Sequence, residues 1–178
     1  MDHGILTTRF NEDTYMETMR WRQTNNYIGC IYNLKTRISN TNLYDRPYFV
    51  LEMNNSLNEV MGIGVIENKV SSVTERVYTN RYFNRYTYKG KIRVPLIKDN
   101  LSDEDRAFYE TNIENVLFYG KGHMKRGQSM THFPKHKMTP KHIEFLKKIV
   151  YQEWDFLVLL HGADVSFLVF VFRFDFLF

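Results

Sequence analysis

The sequence predicts an α+β fold: a mixed sheet, or a partly closed small β-barrel, with two or three flanking helices. Three observations lead there. Short apolar runs bounded by turn-forming residues recur between residues 27 and 94. Two segments with capped starts and helical spacing follow, one over Ser102–Phe118 and one after Thr139. The resulting order of strands, helix, long loop, helix and strands puts the helices to one side of the sheet. With 178 residues, 43% apolar and 25% charged, the chain is long enough for a substantial core. Residues 1–164 therefore read as a single basic α+β domain, and residues 165–178 as a Phe-rich C-terminal strand or assembly tail.

The elements follow in order. A short helix is expected over Glu12–Met19, with Asn11 as its N-cap. Tyr27–Asn33, Tyr48–Asn54 and Val60–Ile66 are strand candidates. The turn-forming NNSLNE between the last two predicts a hairpin. Gly29, Gly62 and Gly64 lie inside strand patterns, where glycine marks a bulge or a close approach of backbone or ligand. Val73–Val94 again favours strands, and Pro95 ends the last one. Ser102 caps a helix whose first turn holds Asp103, Glu104 and Asp105, which suits the helix dipole. Phe108, Ile113, Val116 and Leu117 form its apolar stripe, and Gly120 stops it. Residues 120–137 have no period and read as a basic loop. Thr139 caps a helix with Pro140 first, burying Ile143, Leu146, Ile149 and Val150. Phe156–Leu160 is expected as a further strand.

The last fourteen residues, VSFLVFVFRFDFLF, are too short to span a bilayer and carry Arg173 and Asp175. No transmembrane segment is expected. In a strand, Phe170, Phe172, Phe174 and Phe176 would line one face. That face needs a cover, so the run is a core strand, an interface or assembly strand, a disturbed reading frame or a membrane-surface tail. The N-terminus lacks the pattern of a signal peptide. Cys30 is the single cysteine, which excludes an intramolecular disulfide and a Cys-rich metal site.

Charge is sharply segregated. Lys69–Lys98 and Gly120–Lys148 each hold eight Lys or Arg and one Glu, a net of +7 apiece, while the remainder is −10 in a chain of net +4. Aromatic residues make up 16% of the chain, including 12 Tyr. A polarised basic surface points to an anionic partner. Arg81, Arg85, Lys89 and Lys91 alternate with Tyr82, Phe83, Tyr86 and Tyr88, the residue types of a stacking platform with phosphate clamps. The equal alternative is a sheet with an aromatic inner face and a basic outer one. The string GKGHMKRG places Lys121, His123, Lys125 and Arg126 among glycines whose backbone N–H groups can approach a phosphate. It lacks the P-loop pattern. Anion or nucleic-acid contact, a solvated basic loop and a protein interface all fit it.

Other chemistry is thinly supported. His123, His132, His136 and His142 cluster, but their spacing fits no common zinc site and their cationic surroundings oppose a metal. Ser129 and His132 lie three residues apart, a spacing that does not specify a nucleophile–base pair without geometry. Asp103 and Asp105 are explained by capping, and Cys30 by an inert buried thiol. The chain reads as a non-enzymatic protein with no cofactor and no metal.

Two resemblances add expectations. WRQTNNYIGCIYN, KTRISN, YFVLEMN and VMGIGVIEN resemble, in order and texture, the first half of PUA-like barrels, including the branch that reads modified bases. That resemblance implies a barrel and a base pocket for which Trp21 and Tyr27 are candidates. YFVLEMNNSLNEVMGIGVIEN with YGKGHMKRGQSMT is similar to uncharacterised proteins of large nucleocytoplasmic DNA viruses. It implies the host cytoplasm, a viral factory or the virion as location. The expected function is binding of RNA or DNA through the basic, aromatic-lined surface, with a modified or flipped base as one possible target. The alternative that this resemblance implies is a structural or minor capsid protein, with residues 165–178 pairing with other virion proteins or with a second copy.

Overall fold

The computed structural model describes residues 4–39, 47–126 and 130–161; the Phe-rich run 165–178 lies outside them. The strands are β1 Gly4–Thr7, β2 Cys30–Leu34, β3 Pro47–Asn54, β4 Glu59–Glu67, β5 Tyr86–Gly90, β6 Ile92–Pro95 and β7 Thr131–His132. The helices are α1 Glu12–Thr24, α2 Asp103–Tyr109, α3 Asn115–Phe118 and α4 Pro140–His161. A π-helical segment, Glu110–Glu114, joins α2 to α3 in one continuous run.

The hairpin expected from NNSLNE forms between β3 and β4. Asn54 Oδ1 accepts from the backbone N–H of Ser56 (3.0 Å) and Leu57 (3.3 Å), and Asn58 takes a positive φ of 60°, which asparagine tolerates. Its register shifts between Leu51 and Met53. The main sheet runs β6-β4-β3-β1-β7, with β1 parallel to β3 and the other pairs antiparallel. β2 and β5 pair separately, as an antiparallel two-stranded sheet.

This topology corrects the barrel expectation. β6 and β7 end opposite edges of the main sheet, β2 and β5 leave it altogether, and neither sheet closes. The fold is a mixed α+β arrangement, and the PUA-like barrel is overturned. The cause is that β2 and β5 pair with each other apart from the main sheet; β1 is a further difference. GILT is too short to show a period, yet it inserts beside β3 with Ile5 and Leu6 buried.

Period-2 alternation sends β3 side chains to two cores. Phe49, Leu51 and Met53 join Ile63, Val65, Val94, Tyr109, Ile113 and Leu146 beneath the helices. Tyr48 and Val50 join Leu6, Cys30, Tyr32, Tyr88 and Tyr78 beneath the small sheet. The result is three layers: α2–α4, the main sheet, then β2–β5 with their flanking loops. Gly64 permits the second contact. A Cβ there would lie 2.1 Å from the Tyr32 hydroxyl oxygen and 2.8 Å from Cys30 Sγ.

Asn11 caps α1 with a full capping box, its side chain accepting from Thr14 N–H (2.9 Å). α1 runs on to Thr24 rather than stopping near Met19. Ser102 accepts from Asp105 N–H (3.2 Å). Phe156–Leu160 continues α4 and is not a strand. A short apolar run carries no period of its own, so the helix before it decides. His142 ties α4 to the π segment. Its Nδ1 accepts from Thr139 N–H (3.1 Å), which leaves Nε2 to donate to the Asn112 carbonyl (3.2 Å).

Candidate nucleic-acid interface

The first basic stretch divides into interior and surface parts. Arg93 is 8% exposed and lies under the sheet, donating to Glu52 Oε2 from Nε (3.0 Å) and Nη2 (2.7 Å). Tyr32 donates to Glu52 Oε1 (2.9 Å). Burial alone would lower the Arg93 guanidinium; the Glu52 carboxylate outweighs it and holds the group above the ordinary arginine value. Burial, with Glu52 and Cys30 adding, raises the Tyr32 hydroxyl well above its usual range. Burial and then Glu52 push the Cys30 thiol up to about 12, so at neutral pH it is a protonated core group. Lys98 pairs with Glu114.

Lys89 is held as well. Its ammonium lies 2.6 Å from Glu75, 5.1 Å from the Trp21 ring centre and 5.5 Å from that of Tyr27. Trp21 and Tyr27 meet edge to face at 5.8 Å. The two residues named for a base pocket therefore come together, but around Lys89. The Tyr27 hydroxyl donates to the Gly90 carbonyl (3.0 Å), and burial raises its pKa to about 12. Tyr86 is half-buried on β5 beneath the Arg37 guanidinium, which sits 5.1 Å from its ring centre.

The surface part is the turn Arg81–Phe83. Asn80 caps it, accepting from Tyr82 N–H (3.1 Å). Asn84 closes it: Oδ1 accepts from the N–H groups of Val77 and Tyr78, and Nδ2 donates to the Tyr78 carbonyl (2.7 Å). Tyr82 is thereby left 58% exposed and Phe83 39% exposed. Arg81 and Arg85 flank them, both exposed, with the Arg85 guanidinium 5.7 Å from the Tyr82 ring centre. Lys91 is exposed between β5 and β6. Across the turn, Glu17 accepts from Thr79 N–H (2.9 Å).

The loop after α3 packs on the β3–β4 hairpin. Lys125 donates to Asn58 Oδ1 (2.6 Å), and its carbonyl accepts from Asn55 (3.2 Å). His123 Nδ1 accepts from Lys125 N–H (3.2 Å), so this imidazole organises its own loop. Lys121 and Arg126 are exposed. Among the described residues, no carboxylate pairs with Arg81, Arg85, Lys121 or Arg126.

Arg9, which charge counting passed over, links the two regions. Its Nε donates to the Met124 carbonyl (2.6 Å) and its Nη2 to Thr131 Oγ1 (2.7 Å); burial lowers its pKa. Arg9 and Phe83 line one cavity of about 100 Å³. No local pattern around TTRF announces this, because the link is made across more than a hundred residues. Among the described residues, no group of His, Cys, Asp and Glu is arranged to hold a metal ion, and no helix is long and apolar enough to cross a membrane.

Comparison with protein-family models, with curated proteins and with solved structures finds no match to this chain.

Proposed function

We propose that this protein binds single-stranded nucleic acid across the turn Arg81–Arg85 and the loop Lys121–Arg126, without carrying out chemistry on it. The observation that supports this most is the pair of exposed aromatic residues Tyr82 and Phe83 between two exposed arginines. The Arg85 guanidinium lies over one face of the Tyr82 ring, and the exposure of Tyr82 offers the other face to a base, with a phosphate clamp next to it. Stacking there needs unpaired bases, which favours a single strand over a duplex. Lys121 and Arg126 supply further cations beyond the cavity that Phe83 shares with Arg9. Lys89, paired with Glu75, and Tyr86, half-buried under Arg37, are not part of the proposed contact set.

The test is fluorescence anisotropy with labelled single strands and duplexes of RNA and DNA across a salt series. Replacing both Arg81 and Arg85 by Ala is expected to reduce the log–log salt slope by about 1.4, from two lost phosphate contacts. Tyr82→Ala is expected to weaken binding by about 1–3 kcal/mol while leaving that slope in place. Affinity and slope unchanged in both variants would refute the assignment. Absence of binding at low salt would turn the surface toward an acidic protein partner, as an assembly role requires.

A further inference from the structure

We propose that Arg76 and Arg81 together grip one phosphate of the bound strand; this rests on the binding surface argued above and adds Arg76 to it. Charge is the first reason. Thr74, Glu75, Arg76, Thr79, Arg81 and Asn84 line one open cleft of about 560 Å³. Both arginines are exposed, and among the described residues no carboxylate pairs with either. The carboxylates at its rim are engaged elsewhere. Glu75 takes the Lys89 ammonium at 2.6 Å, and Glu17 accepts from the Thr79 hydroxyl (2.5 Å) and N–H (2.9 Å). Three cations, Arg76, Arg81 and Lys89, thus stand against two carboxylates, Glu75 and Glu17. The excess is one positive charge, which one phosphodiester neutralises.

Rigidity is the second reason. Residues 75–80 form no helix or strand, yet side chains hold the backbone on both sides of Arg76. Glu75 N–H donates to Thr87 Oγ1 (3.1 Å), and the Glu75 carbonyl accepts from Asn33 Nδ2 (2.6 Å). Val77 N–H donates to Asn84 Oδ1 (3.1 Å), and Val77 is buried. Asn84 also reaches the second arginine, since its own N–H donates to the Arg81 carbonyl (3.1 Å). Two guanidiniums rooted in one hydrogen-bonded frame lose less freedom on gripping a ligand than two on loose segments would.

The groups on offer are the third reason. A guanidinium only donates, and its planar fork presents two parallel N–H groups to the oxygens of a phosphate. Thr74 adds an exposed hydroxyl. Position favours a nucleic-acid phosphate over a protein carboxylate. Arg81 directly precedes Tyr82, so a strand with a base on Tyr82 carries its backbone past the cleft. Arg85 holds a separate place, over the Tyr82 ring. Thr74, Arg76, Thr79 and Arg81 are all exposed, so the cleft is open and a phosphate within a continuous strand enters it without a chain end.

The test is anisotropy on the full chain with a labelled single strand of about 12 nucleotides across a salt series. Arg76→Ala and Arg81→Ala are each expected to lower the log–log salt slope by about 0.7 and to weaken binding about tenfold. Because the phosphate is shared, the double variant is expected to lose no more slope than either single one. Lys141→Ala removes an exposed cation on α4, across the main sheet, and is expected to match the wild type. Wild-type affinity and slope in Arg76→Ala, with Arg81→Ala still impaired, would overturn the cleft and leave the surface standing. A double variant that loses about 1.4 would put the two arginines on separate phosphates and overturn the grip. So would an equal loss in Lys141→Ala, which would make the effect one of net charge. An oligo-Glu peptide that binds as tightly as the strand, with the same loss on Arg76→Ala, would give the cleft to an acidic protein instead. If no strand binds, the surface falls, and inorganic phosphate against chloride at equal ionic strength decides the cleft alone. A shifted Arg76 Nε–Hε resonance would support it, and an unmoved one would overturn it.

Discussion

Glu52→Gln isolates the electrostatic core of this fold. Glu52 is 4% and Arg93 8% exposed, and the carboxylate takes both Arg93 nitrogens and the Tyr32 hydroxyl. The amide that replaces it has one carbonyl oxygen and no charge, so the guanidinium stays buried without its counter-ion. Breaking one side of a buried pair typically costs about 3–5 kcal/mol. For a chain of this size each kcal/mol moves the midpoint by about 2–4 °C, so Tm is expected to fall by about 6–20 °C. Urea unfolding followed by tryptophan fluorescence and circular dichroism would measure the loss. Arg93→Met in the Glu52→Gln background removes the stranded charge and is expected to recover part of the stability, the rest being withheld by the buried Gln amide, which keeps only the Tyr32 hydroxyl as a partner. A Glu52→Gln loss below about 1 kcal/mol, the range of an exposed pair, or strict additivity in the double mutant, would refute the reasoning.

Two further outcomes follow from the packing. Gly64→Ala would put a methyl 2.1 Å from the Tyr32 hydroxyl oxygen. It is expected to cost about 1–3 kcal/mol, as overpacking does; unaltered stability would mean that the two sheets are less tightly apposed than described. His142 is held neutral by burial, which lowers its pKa, with the hydrogen bond to the Asn112 carbonyl pulling the other way. Its folded value lies below the unfolded one, so its contribution is complete above about pH 6.5 and is lost as pH falls from there toward the folded value. His132 shifts in the same direction, through burial and then Lys135. Unfolding free energy measured from pH 7.5 to 5 is expected to drop, and His142→Gln is expected to flatten part of the drop. An identical profile in the variant would remove His142 from the account.

Legibility followed the range of the forces involved. Asn11 and Ser102 cap their helices as expected, because capping is an interaction over three residues. The β3–β4 hairpin was readable from NNSLNE, since Asn54 builds its own turn. β1 was not, because four residues show no period and acquire strand geometry only from β3 beside them. The barrel expectation failed because β2 and β5 pair with each other apart from the main sheet, a long-range choice that no local pattern records. Phe156–Leu160 was misread as a strand because α4 extends through it.

The candidate interface divides the same way. Net charge and aromatic content are sums over residues, so the sequence alone established that two segments of +7 carry Tyr, Phe, Lys and Arg together, and it located Arg81, Tyr82, Arg85, Lys121 and Arg126 within them. Which of those charges reach solvent is a property of pairs brought together from afar. Only the tertiary structure set Arg93 on Glu52, Lys89 on Glu75 between Trp21 and Tyr27, and Arg9 between the loop of Met124 and the cavity shared with Phe83. Each of these partners is more than ten residues away in the chain, and Coulomb attraction and burial act through distance in space, which a linear sequence does not record.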